Sequence, residues 1–235
     1  SLGVAVGHRI TNLCFCVIPT SLYTFLWEHR LGTIPLNHVW SILLLFIGLE
    51  FFYYWYHRLS HEIRWLWATH AVHHSANSFN LSATFRLGWT GGLSGHFLFF
   101  TSLCWFGFHP IAIAICLGIN LLYQFWIHTE LIPKLGWFEW LFNTPSHHRV
   151  HHASNPEYID RNYGGVLIIF DRLFGTFTAE APEPPLIYGL THPLRSHHPL
   201  KIAFHEWNQL FKELKRAKTW QDYYKTIMGN PTGIV

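Results

Sequence analysis

The chain contains few charged residues. Asp, Glu, Lys and Arg make up 12% of its 235 residues, whereas soluble domains carry about 25%. Half of the residues are hydrophobic, so too little charge remains to cover a soluble helical protein of this size. The formal charge of +3 is small, and no stripe of arginines and aromatics occurs, which argues against nucleic acid as a partner. These deficits favour a membrane protein.

Several motifs of metal, redox and cofactor chemistry are missing from the sequence. The four cysteines lie in apolar stretches and form no CxxC pair, which predicts packing residues rather than disulfides or redox centres. An HExxH motif begins at His61 but fails because Trp65 stands at its end. No glutamate has a histidine three residues later, as the carboxylate di-iron bundles require. No glycine-rich dinucleotide fingerprint is present, so a reductant would have to be external.

Four apolar segments are each long enough to cross about 30 Å of hydrocarbon, which takes roughly 20 helical residues. They are residues 10–27, 38–57, 88–107 and 109–128. With the N-terminus inside, the fourth segment returns the chain to the inner side, and Arg30 alone of the sixteen Lys and Arg residues is left outside. We therefore predict an all-α integral membrane protein that forms one domain over 1–235, with about four transmembrane helices and a cytosolic helical cap at 129–235.

Two of these segments contain helix-disrupting residues. Pro19 interrupts the first and is expected to kink it, which a membrane bundle tolerates. Gly91, Gly92 and Gly95 in the third segment allow neighbouring helices to approach closely. Beyond the spans, apolar positions recur at helical spacing from Pro199 onward, with lysines on the other faces. That pattern predicts an amphipathic helix, which either caps the bundle or lies on the membrane.

Nineteen histidines are present, compared with one methionine. Spacings of three and four residues place the members of each histidine motif on one face of a helix. Thr144, a capping residue, and Pro145 predict a helix start directly before the last motif. Chain parity across four spans then brings every motif to the inner membrane face. The motifs are HxxxH at 57–61, HxxHH at 70–74, the single His128, and HHxxHH at 147–152.

Eight to ten imidazoles at one face exceed the four ligands of a closed zinc site and therefore predict two metal ions. Imidazole suits iron, zinc, copper and nickel, so residue chemistry leaves the metal open. Taken alone, residues 147–152 could be a surface cluster on a soluble helix. A histidine-rich metal transporter is the alternative from another class, but it needs ligands along the membrane path. The outer side holds only the scattered His29, His38 and His109.

The ordered motifs resemble the membrane fatty acid hydroxylase and sterol desaturase superfamily, over most of the chain from about residue 40. Their detail is most similar to the alkylglycerol monooxygenase branch and its bacterial relatives. The motifs that carry the resemblance are HRxxH at 57–61, HxxHH at 70–74, Trp-Ile-His-Thr at 126–129, HHRVHH at 147–152, Asn-Tyr-Gly at 162–164 and Asp-Arg-Leu-Phe-Gly-Thr-Phe at 171–177.

The resemblance implies a histidine-bound pair of iron ions at the cytosolic face of the bacterial inner membrane or the endoplasmic reticulum. Such an enzyme uses O2 and two electrons to hydroxylate a C–H bond of an acyl, alkyl-ether or sterol-like lipid. Ether cleavage and desaturation are alternative outcomes at the same site. The resemblance also implies a separate electron donor, which is reduced pterin or a cytochrome or ferredoxin. Zinc is an alternative occupant in a purified sample. The oligomeric state stays open.

Carried over position by position, the resemblance gives nine metal ligands, and His147 is an additional candidate. Where some members of the superfamily have a further histidine, this chain has Gln124, which leaves a coordination position open. The nine expected ligands are His57, His61, His70, His73, His74, His128, His148, His151 and His152.

Polar residues outside this set are candidates for supporting roles. Asn80, Asp160 and Asn162 have polar groups that could orient imidazole N–H groups, and turn formation is their alternative role. Glu50 and His96 lie inside predicted spans, where ionisable groups usually pair or line a cavity. We expect these two to meet and to mark a substrate channel under the metals. The alternative is an interhelical hydrogen bond.

Overall fold

The computed structural model describes residues 1–231, and helices make up all of its regular structure. Within that range, β pairing is limited to two isolated bridges, Phe142 with Leu167 and Ala153 with Tyr188. Short 3-10 helices cover Leu81–Phe85, His96–Phe100, Gly136–Trp140 and Pro156–Tyr158. The α-helices are α1 Leu2–Phe15, α2 Val17–Glu28, α3 Val39–Glu62, α4 Arg64–His74, α5 Gly91–Ser94, α6 Thr101–Phe106, α7 Pro110–Ile127, α8 Pro145–His152, α9 Ile169–Phe174, α10 Pro199–Leu214 and α11 Trp220–Met228.

Two helices, α3 and α7, are long and apolar enough to cross a membrane. The pair α1 and α2 makes a third candidate if it counts as one bent span. These apolar helices indicate a membrane protein, in agreement with the low charge of the sequence. The predicted number of four spans is not confirmed, because the part of the chain that the structure describes offers two or three.

The first predicted segment is divided at Cys16, where α1 and α2 meet at an angle of 47°. Pro19 explains the position of the bend. A proline has no N–H, and its ring clashes with the carbonyl four residues earlier, which here belongs to Phe15, the last residue of α1. The kink that the sequence predicted therefore lies one turn before the proline that causes it.

The prediction of one continuous helix over 88–107 is wrong. The chain there forms α5, the 3-10 helix at 96–100 and α6 in succession. The break after α5 falls at Gly95, whose φ of +85° lies in the left-handed region that favours glycine. The segment nevertheless contacts α1 and the loop that follows α2. The indole of Trp89 donates to Val4 O near one end, and Leu31 N donates to Trp105 O near the other.

A largely apolar core joins α2, α3, α6 and α7. Buried members from three of these helices include Leu49, Leu103 and Ile113. At the end of α3 the chain turns at Ile63, whose extended backbone separates α3 from α4. Helix α4 then packs against α3, α5, α10, α11 and the 81–85 helix. This arrangement turns the α4 histidines toward the end of α3.

The amphipathic helix predicted from Pro199 onward is α10, and it caps the bundle. It buries Trp207 and Leu210 against Ala68 of α4. Arg64 at the start of α4 makes ion pairs with α10, to Glu206 and, at 3.6 Å, to Glu213. One apolar face and a pair of charge contacts therefore hold α10 on α4. The sequence predicted that this helix either caps the bundle or lies on the membrane. The face that carries Trp207 packs on the bundle.

Helix α8 begins at Pro145, as predicted. The Thr144 hydroxyl does not cap the helix backbone and instead donates to Glu139 Oε1 at 2.9 Å. Ser146 Oγ donates to the same oxygen at 2.7 Å. Glu139 therefore accepts hydrogen bonds from both hydroxyls at the start of α8. All eight residues of α8 are buried, so its histidines face protein on every side.

Candidate metal centre

Four separate parts of the chain bring the nine expected histidines together at one end of the bundle. His57 and His61 occupy the last two turns of α3, and His128 follows the last residue of α7. Helix α4 supplies the 70–74 motif, and α8 supplies its last three histidines. Eight of the nine are buried, and His70 is half-buried. The convergence that chain parity predicted is present, although the third segment is not a single helix.

The nine histidines form two groups, and in each group the candidate ligand atoms all lie within 4.8 Å of one another. We call them the five-histidine group and the four-histidine group. The groups are in contact, since the rings of His74 and His152 stack with centroids 4.4 Å apart. The five-histidine group contains His57, His61, His70, His74 and His151, and the four-histidine group contains His73, His128, His148 and His152.

Burial favours the neutral form of seven of these imidazoles, which is the form that binds metals. It lowers the pKa of His128 to about 4. At six further positions, burial and then the neighbouring histidines hold the pKa well below the usual 6.5. These positions are His70, His73, His74, His148, His151 and His152.

Backbone carbonyls orient three of the rings. His57 Nδ1 donates to Tyr163 O at 2.8 Å, and His151 Nδ1 donates to Arg161 O at 2.9 Å. His128 Nδ1 donates to the carbonyl of Gln124 at 2.7 Å. Because each Nδ1 carries the hydrogen, the Nε2 atom of each ring keeps a lone pair. That lone pair is what a metal ligand requires.

The distances inside the groups fit a bound metal ion. Two imidazole nitrogens that bind one ion at about 2.0–2.1 Å lie roughly 2.8–3.4 Å apart for angles between a right angle and the tetrahedral angle. Neighbouring Nε2 atoms lie 2.9–3.2 Å apart in both groups. Nε2 of His61 and of His151 are buried without a hydrogen-bond partner. Buried polar atoms are rarely left in that state, so the residues present fit one cation in each group.

His147 lies outside both groups, although it adjoins His148 in sequence. Its Nε2 is 3.8 Å from Glu139 Oε2, and its ring packs edge-on against Phe177 with centroids 5.2 Å apart. Burial lowers its pKa to about 4. Because successive residues of a helix point in directions about 100° apart, His147 faces away from the side where His148 meets His128. We therefore remove His147 from the candidate ligands.

The three polar candidates for a supporting role differ in position. Asp160 Oδ1 lies 3.6 Å from His61 Nδ1, close to the five-histidine group. Asn162 touches no imidazole nitrogen; its amide donates to the carbonyls of His147 and Thr178 at 3.1 and 2.7 Å. Asn80 is exposed and accepts a hydrogen bond from the backbone of the 81–85 helix, which is its turn-forming role. Only Asp160 could therefore orient a histidine directly.

Glu50 and His96 do not meet. The Glu50 carboxylate accepts Asn120 Nδ2 at 2.5 Å on one oxygen and the two backbone N–H groups of 166–167 at 2.8 Å on the other. His96 packs edge-on against Tyr56, with ring centroids 5.2 Å apart. Glu50 therefore ties α3 to α7 and to the loop before α9. His96 makes its contact with another part of α3, at Tyr56.

An apolar cavity of about 520 Å³ lies between α2, α3, the 96–100 helix and α7. His96 is one of its lining residues and Glu50 is not, and the expected substrate channel stays a prediction. Tyr53 and Tyr56 line the cavity as well, and the Tyr53 ring lies 5.7 Å from that of His57 in the five-histidine group. Pockets of this size and character take apolar ligands. Because Tyr53 both lines the cavity and contacts His57, one side chain separates the cavity from the five-histidine group.

Sequence reasoning missed several residues that shape the site. Arg161 and Tyr163 act through backbone carbonyls, which leave no trace in the side-chain pattern. Phe79 stacks on His128 with centroids 5.5 Å apart, and one phenylalanine among twenty gives no indication of such a role. Asn120 could have been found. It is a polar amide four residues before Gln124 inside an apolar segment, where polar side chains usually bond to one another.

The chain has clear relatives among known proteins. The fatty acid hydroxylase family matches residues 42–176. The chain is 44% identical to an alkylglycerol monooxygenase of Homo sapiens over 206 residues, which are 87% of this chain and 45% of that protein. A Xenopus tropicalis alkylglycerol monooxygenase is 41% identical over 215 residues, 88% of this chain and 47% of its own length. Ornithine lipid hydroxylase OlsE of Rhizobium tropici is 31% identical over 138 residues, which are 58% of this chain and 41% of that protein.

The chain thus spans about half the length of the alkylglycerol monooxygenases that it matches. No solved structure matches it.

Proposed function

The chain belongs to the fatty acid hydroxylase family, and from that premise we propose that it is an O2-dependent di-iron membrane oxygenase that hydroxylates a C–H bond of a lipid. The family resemblance seen in the histidine motifs is confirmed. The observation that supports the proposal best is the position of the two compact histidine groups beside an apolar cavity. The relatives named as monooxygenases and hydroxylases support an oxidoreductase that acts on lipids.

We propose that the five-histidine group and the four-histidine group would each hold one iron ion. Bound iron would supply the redox chemistry by which O2, two electrons and two protons convert a C–H bond to an alcohol, with release of one water. The carbonyls of Gln124, Arg161 and Tyr163 would hold their histidines with Nε2 directed inward. Electrons would come from a separate donor, either reduced pterin or a cytochrome or ferredoxin. Zinc would compete for the same nitrogens in a purified sample.

The apolar cavity would receive the lipid tail. It follows α7 from Pro110 to Leu121, a distance of about 16 Å at 1.5 Å per residue and roughly the length of a twelve-carbon chain. Tyr53 and Tyr56 would form its end beside the histidines. A tail in this space would bring a carbon near the five-histidine group and would exclude water from it. Acyl, alkyl-ether and sterol-like lipids remain the candidate substrates.

We further propose that residues 1–235 act as one membrane domain with several membrane crossings. The histidine site would lie on the cytosolic face, and residues 129–235 would form a cap over it. The distribution of Lys and Arg supports this orientation, because Arg30 lies in the loop between α2 and α3, at the end of the bundle away from the histidines. The membrane would be the bacterial inner membrane or the endoplasmic reticulum.

Two alternatives remain to be distinguished from hydroxylation. Desaturation and ether cleavage would use the same ligands and differ in the fate of the attacked carbon. A histidine-rich metal transporter would need ligands spread along a membrane path. Here the candidate ligands form two compact buried groups at one end of the bundle, which favours an enzyme.

The test is oxygen uptake by the purified protein after reconstitution with iron, with membrane lipids and a reductant. Product analysis by mass spectrometry separates the outcomes. Addition of one oxygen atom supports hydroxylation, loss of two hydrogens indicates desaturation, and release of an aldehyde indicates ether cleavage. Iron-loaded protein that consumes no O2 with any lipid, yet moves metal across vesicles, would replace the proposal by the transporter.

A further inference from the structure

A second cavity borders the histidine site, and among the described residues it shares no lining residue with the apolar cavity. We call it the small cavity. Its volume is about 40 Å³, which is room for about three waters at roughly 10–15 Å³ each. A lipid tail does not fit into this volume. Four of the nine candidate ligands line the small cavity, namely His61, His74 and His151 of the five-histidine group and His152 of the four-histidine group.

The small cavity extends from these buried rings to residues that solvent reaches. Thr191 is exposed, and Ser154 and Asp160 are half-buried. Apart from His61 at the end of α3, its lining residues belong to α4 or follow α7 in the chain. The apolar cavity differs, because none of the nine histidines lines it and its exposed lining residue Ile111 lies on the candidate span α7. The small cavity therefore approaches the ligands from outside the membrane spans.

The rim of the small cavity is held in place by the fold. Ser154 N donates to Ile187 O at 2.7 Å, which joins the end of α8 to the segment before Thr191. Gly189 in that segment has a φ of +114°, and a Cβ there would lie 2.7 Å from Asn77 Oδ1. The left-handed backbone and the close approach both favour glycine at this position. The segment that carries Thr191 is thus fixed against the end of α8.

The four-histidine group is less accessible than the five-histidine group. Phe79 is 3% exposed and packs on the rings of His128, His148 and His152, with centroids 5.1–5.9 Å from theirs. Of the four members of this group, all of which the structure describes, His152 alone lines the small cavity. Its ring stacks on that of His74. An ion that entered by the small cavity would therefore meet the five-histidine group first and would pass His74 and His152 to reach the other group.

The chemistry of the small cavity suits a divalent cation. A cation without polar or charged partners is strongly disfavoured in apolar surroundings, so its route to the histidines must supply such partners. The Asp160 carboxylate, which lines the small cavity, lies 3.6 Å from His61 Nδ1. Nε2 of His61 and of His151 are buried without a hydrogen-bond partner. An entering cation thus meets a carboxylate and then imidazole nitrogens.

We propose that the small cavity is the port through which divalent metal ions enter and leave both histidine groups, and that the five-histidine group lies nearer to it on this route. This inference rests on the proposed function for the presence of a metal centre. Its test follows metal exchange and needs no turnover, so it can be separated from catalysis.

The test measures how fast Co2+ binds to the purified, metal-free full chain in nanodiscs and how fast a chelator removes it. Imidazole binds Co2+, and the absorbance of the bound ion reports its coordination. Narrowing a port slows binding and release by the same factor and leaves the affinity unchanged, because the bound state is not altered. We expect Thr191→Trp to slow both processes by about tenfold, which is a rise of about 1.4 kcal/mol in the barrier. Ile159→Trp, at a second half-buried lining residue, should do the same.

Two control variants keep the test specific. Thr191→Ala removes the same side chain without narrowing the small cavity, and neither rate should fall. Ile111→Trp narrows the apolar cavity instead and should leave both Co2+ rates unchanged. Unchanged rates in Thr191→Trp and Ile159→Trp overturn the proposal and indicate entry elsewhere, such as beside the half-buried His70. A lower affinity with an unchanged binding rate also overturns it, because that is the effect of a lost ligand.

The order of release is the second measurement. The time course of Co2+ removal should have two phases, and the fast phase should belong to the five-histidine group. His148→Ala lacks a ligand of the four-histidine group, so it should keep the fast phase and lose the slow one. Loss of the fast phase in this variant, or a single phase in the natural chain, overturns the proposed order.

The two proposals can fail separately. If residue 191 controls both Co2+ rates but the iron-loaded chain oxidises no lipid, the port stands and the proposed function falls. If the chain oxidises lipid but its Co2+ rates ignore residues 159 and 191, the proposed function stands and the port falls.

Discussion

The two histidine groups touch each other but depend on different parts of the chain. In the five-histidine group, the carbonyls of Tyr163 and Arg161 and the carboxylate of Asp160 lie against the imidazoles. These three belong to the irregular stretch between α8 and α9. In the four-histidine group, the carbonyl that orients His128 belongs to Gln124, inside the regular helix α7. One group is thus oriented by a loop and the other by a helix.

This difference matters because the loop needs support of its own. Asp160 and Asn162 have φ values of +60° and +58°, in the left-handed region that Asp and Asn adopt more readily than other non-glycine residues but still at some cost in free energy. Asp171 supplies part of that support, since its carboxylate accepts the N–H groups of Tyr163 and Gly164 and the hydroxyl of Thr176. Disturbances of the loop should therefore affect the five-histidine group first.

The largest effect should come from removing a ligand, and the two groups should respond unequally. His148→Ala leaves three nitrogens in its group, whereas His61→Ala leaves four. We expect His148→Ala to bind about one iron per chain and to lose more than a hundredfold in lipid oxidation, since even the partners of ligands are worth about 10–100-fold. His61→Ala should still bind close to two irons at saturation. Iron per protein, measured by mass spectrometry, checks this.

Equal iron contents in the two variants would break the distinction between the groups. Two full equivalents in both would further indicate that His148 is not a required ligand. Circular dichroism of each variant controls for loss of the fold.

A smaller effect is expected from a residue that orients a ligand without binding metal. Asp160→Ala removes the carboxylate beside His61 and should weaken iron binding at the five-histidine group by about 10–100-fold. The four-histidine group should keep its affinity, so a titration against a chelator should change from one phase to two. Asn80→Ala is the matched control, because Asn80 is exposed and bonds only within its own turn. A uniform weakening of both phases would contradict the assignment of Asp160 to one group.

A third prediction concerns the support of the loop. In Asp171→Asn one carboxylate oxygen becomes an NH2 group, which faces a backbone N–H and leaves that buried donor unsatisfied. The expected loss of stability is about 1–2 kcal/mol. Iron affinity at the five-histidine group should fall along with it, because Tyr163 carries the carbonyl that orients His57. Thermal unfolding of the protein in detergent and the same chelator titration measure both quantities. If stability fell while both iron affinities were unchanged, the loop would not be needed to orient the histidines.

The sequence predicted elements best where one physical effect acts alone. The predicted span 109–128 and helix α7 at Pro110–Ile127 agree, because a proline starts an uninterrupted apolar run. The segment 88–107 was predicted as one helix on its hydrophobicity, but its glycines permit the left-handed turn at Gly95 that ends α5. Hydrophobicity indicates that such a segment is buried in lipid or protein, but it does not indicate whether the segment forms one continuous helix.

For the site, the sequence likewise predicted which residues come together but not how they are arranged. The motifs identified all nine converging histidines, but their division into two groups was beyond the sequence. His73 and His74 are neighbours in one motif and belong to different groups, as do His151 and His152. Successive residues on a helix point about 100° apart, so each helix faces both groups at once. Only the packing of α4 against α8 decides which ring joins which group.

The smallest effect is expected at His147, which separates position in a motif from position in space. His147→Gln should leave both iron equivalents in place and change lipid oxidation by less than about threefold, because His147 belongs to neither group. Stability should fall by about 1 kcal/mol, through loss of the contacts with Glu139 and Phe177. The neighbouring variant His148→Ala provides the contrast within the same helix. If His147→Gln lost iron as His148→Ala does, His147 would be a tenth ligand. The difference between five and four ligands in the two groups, on which the first prediction rests, would then have to be revised.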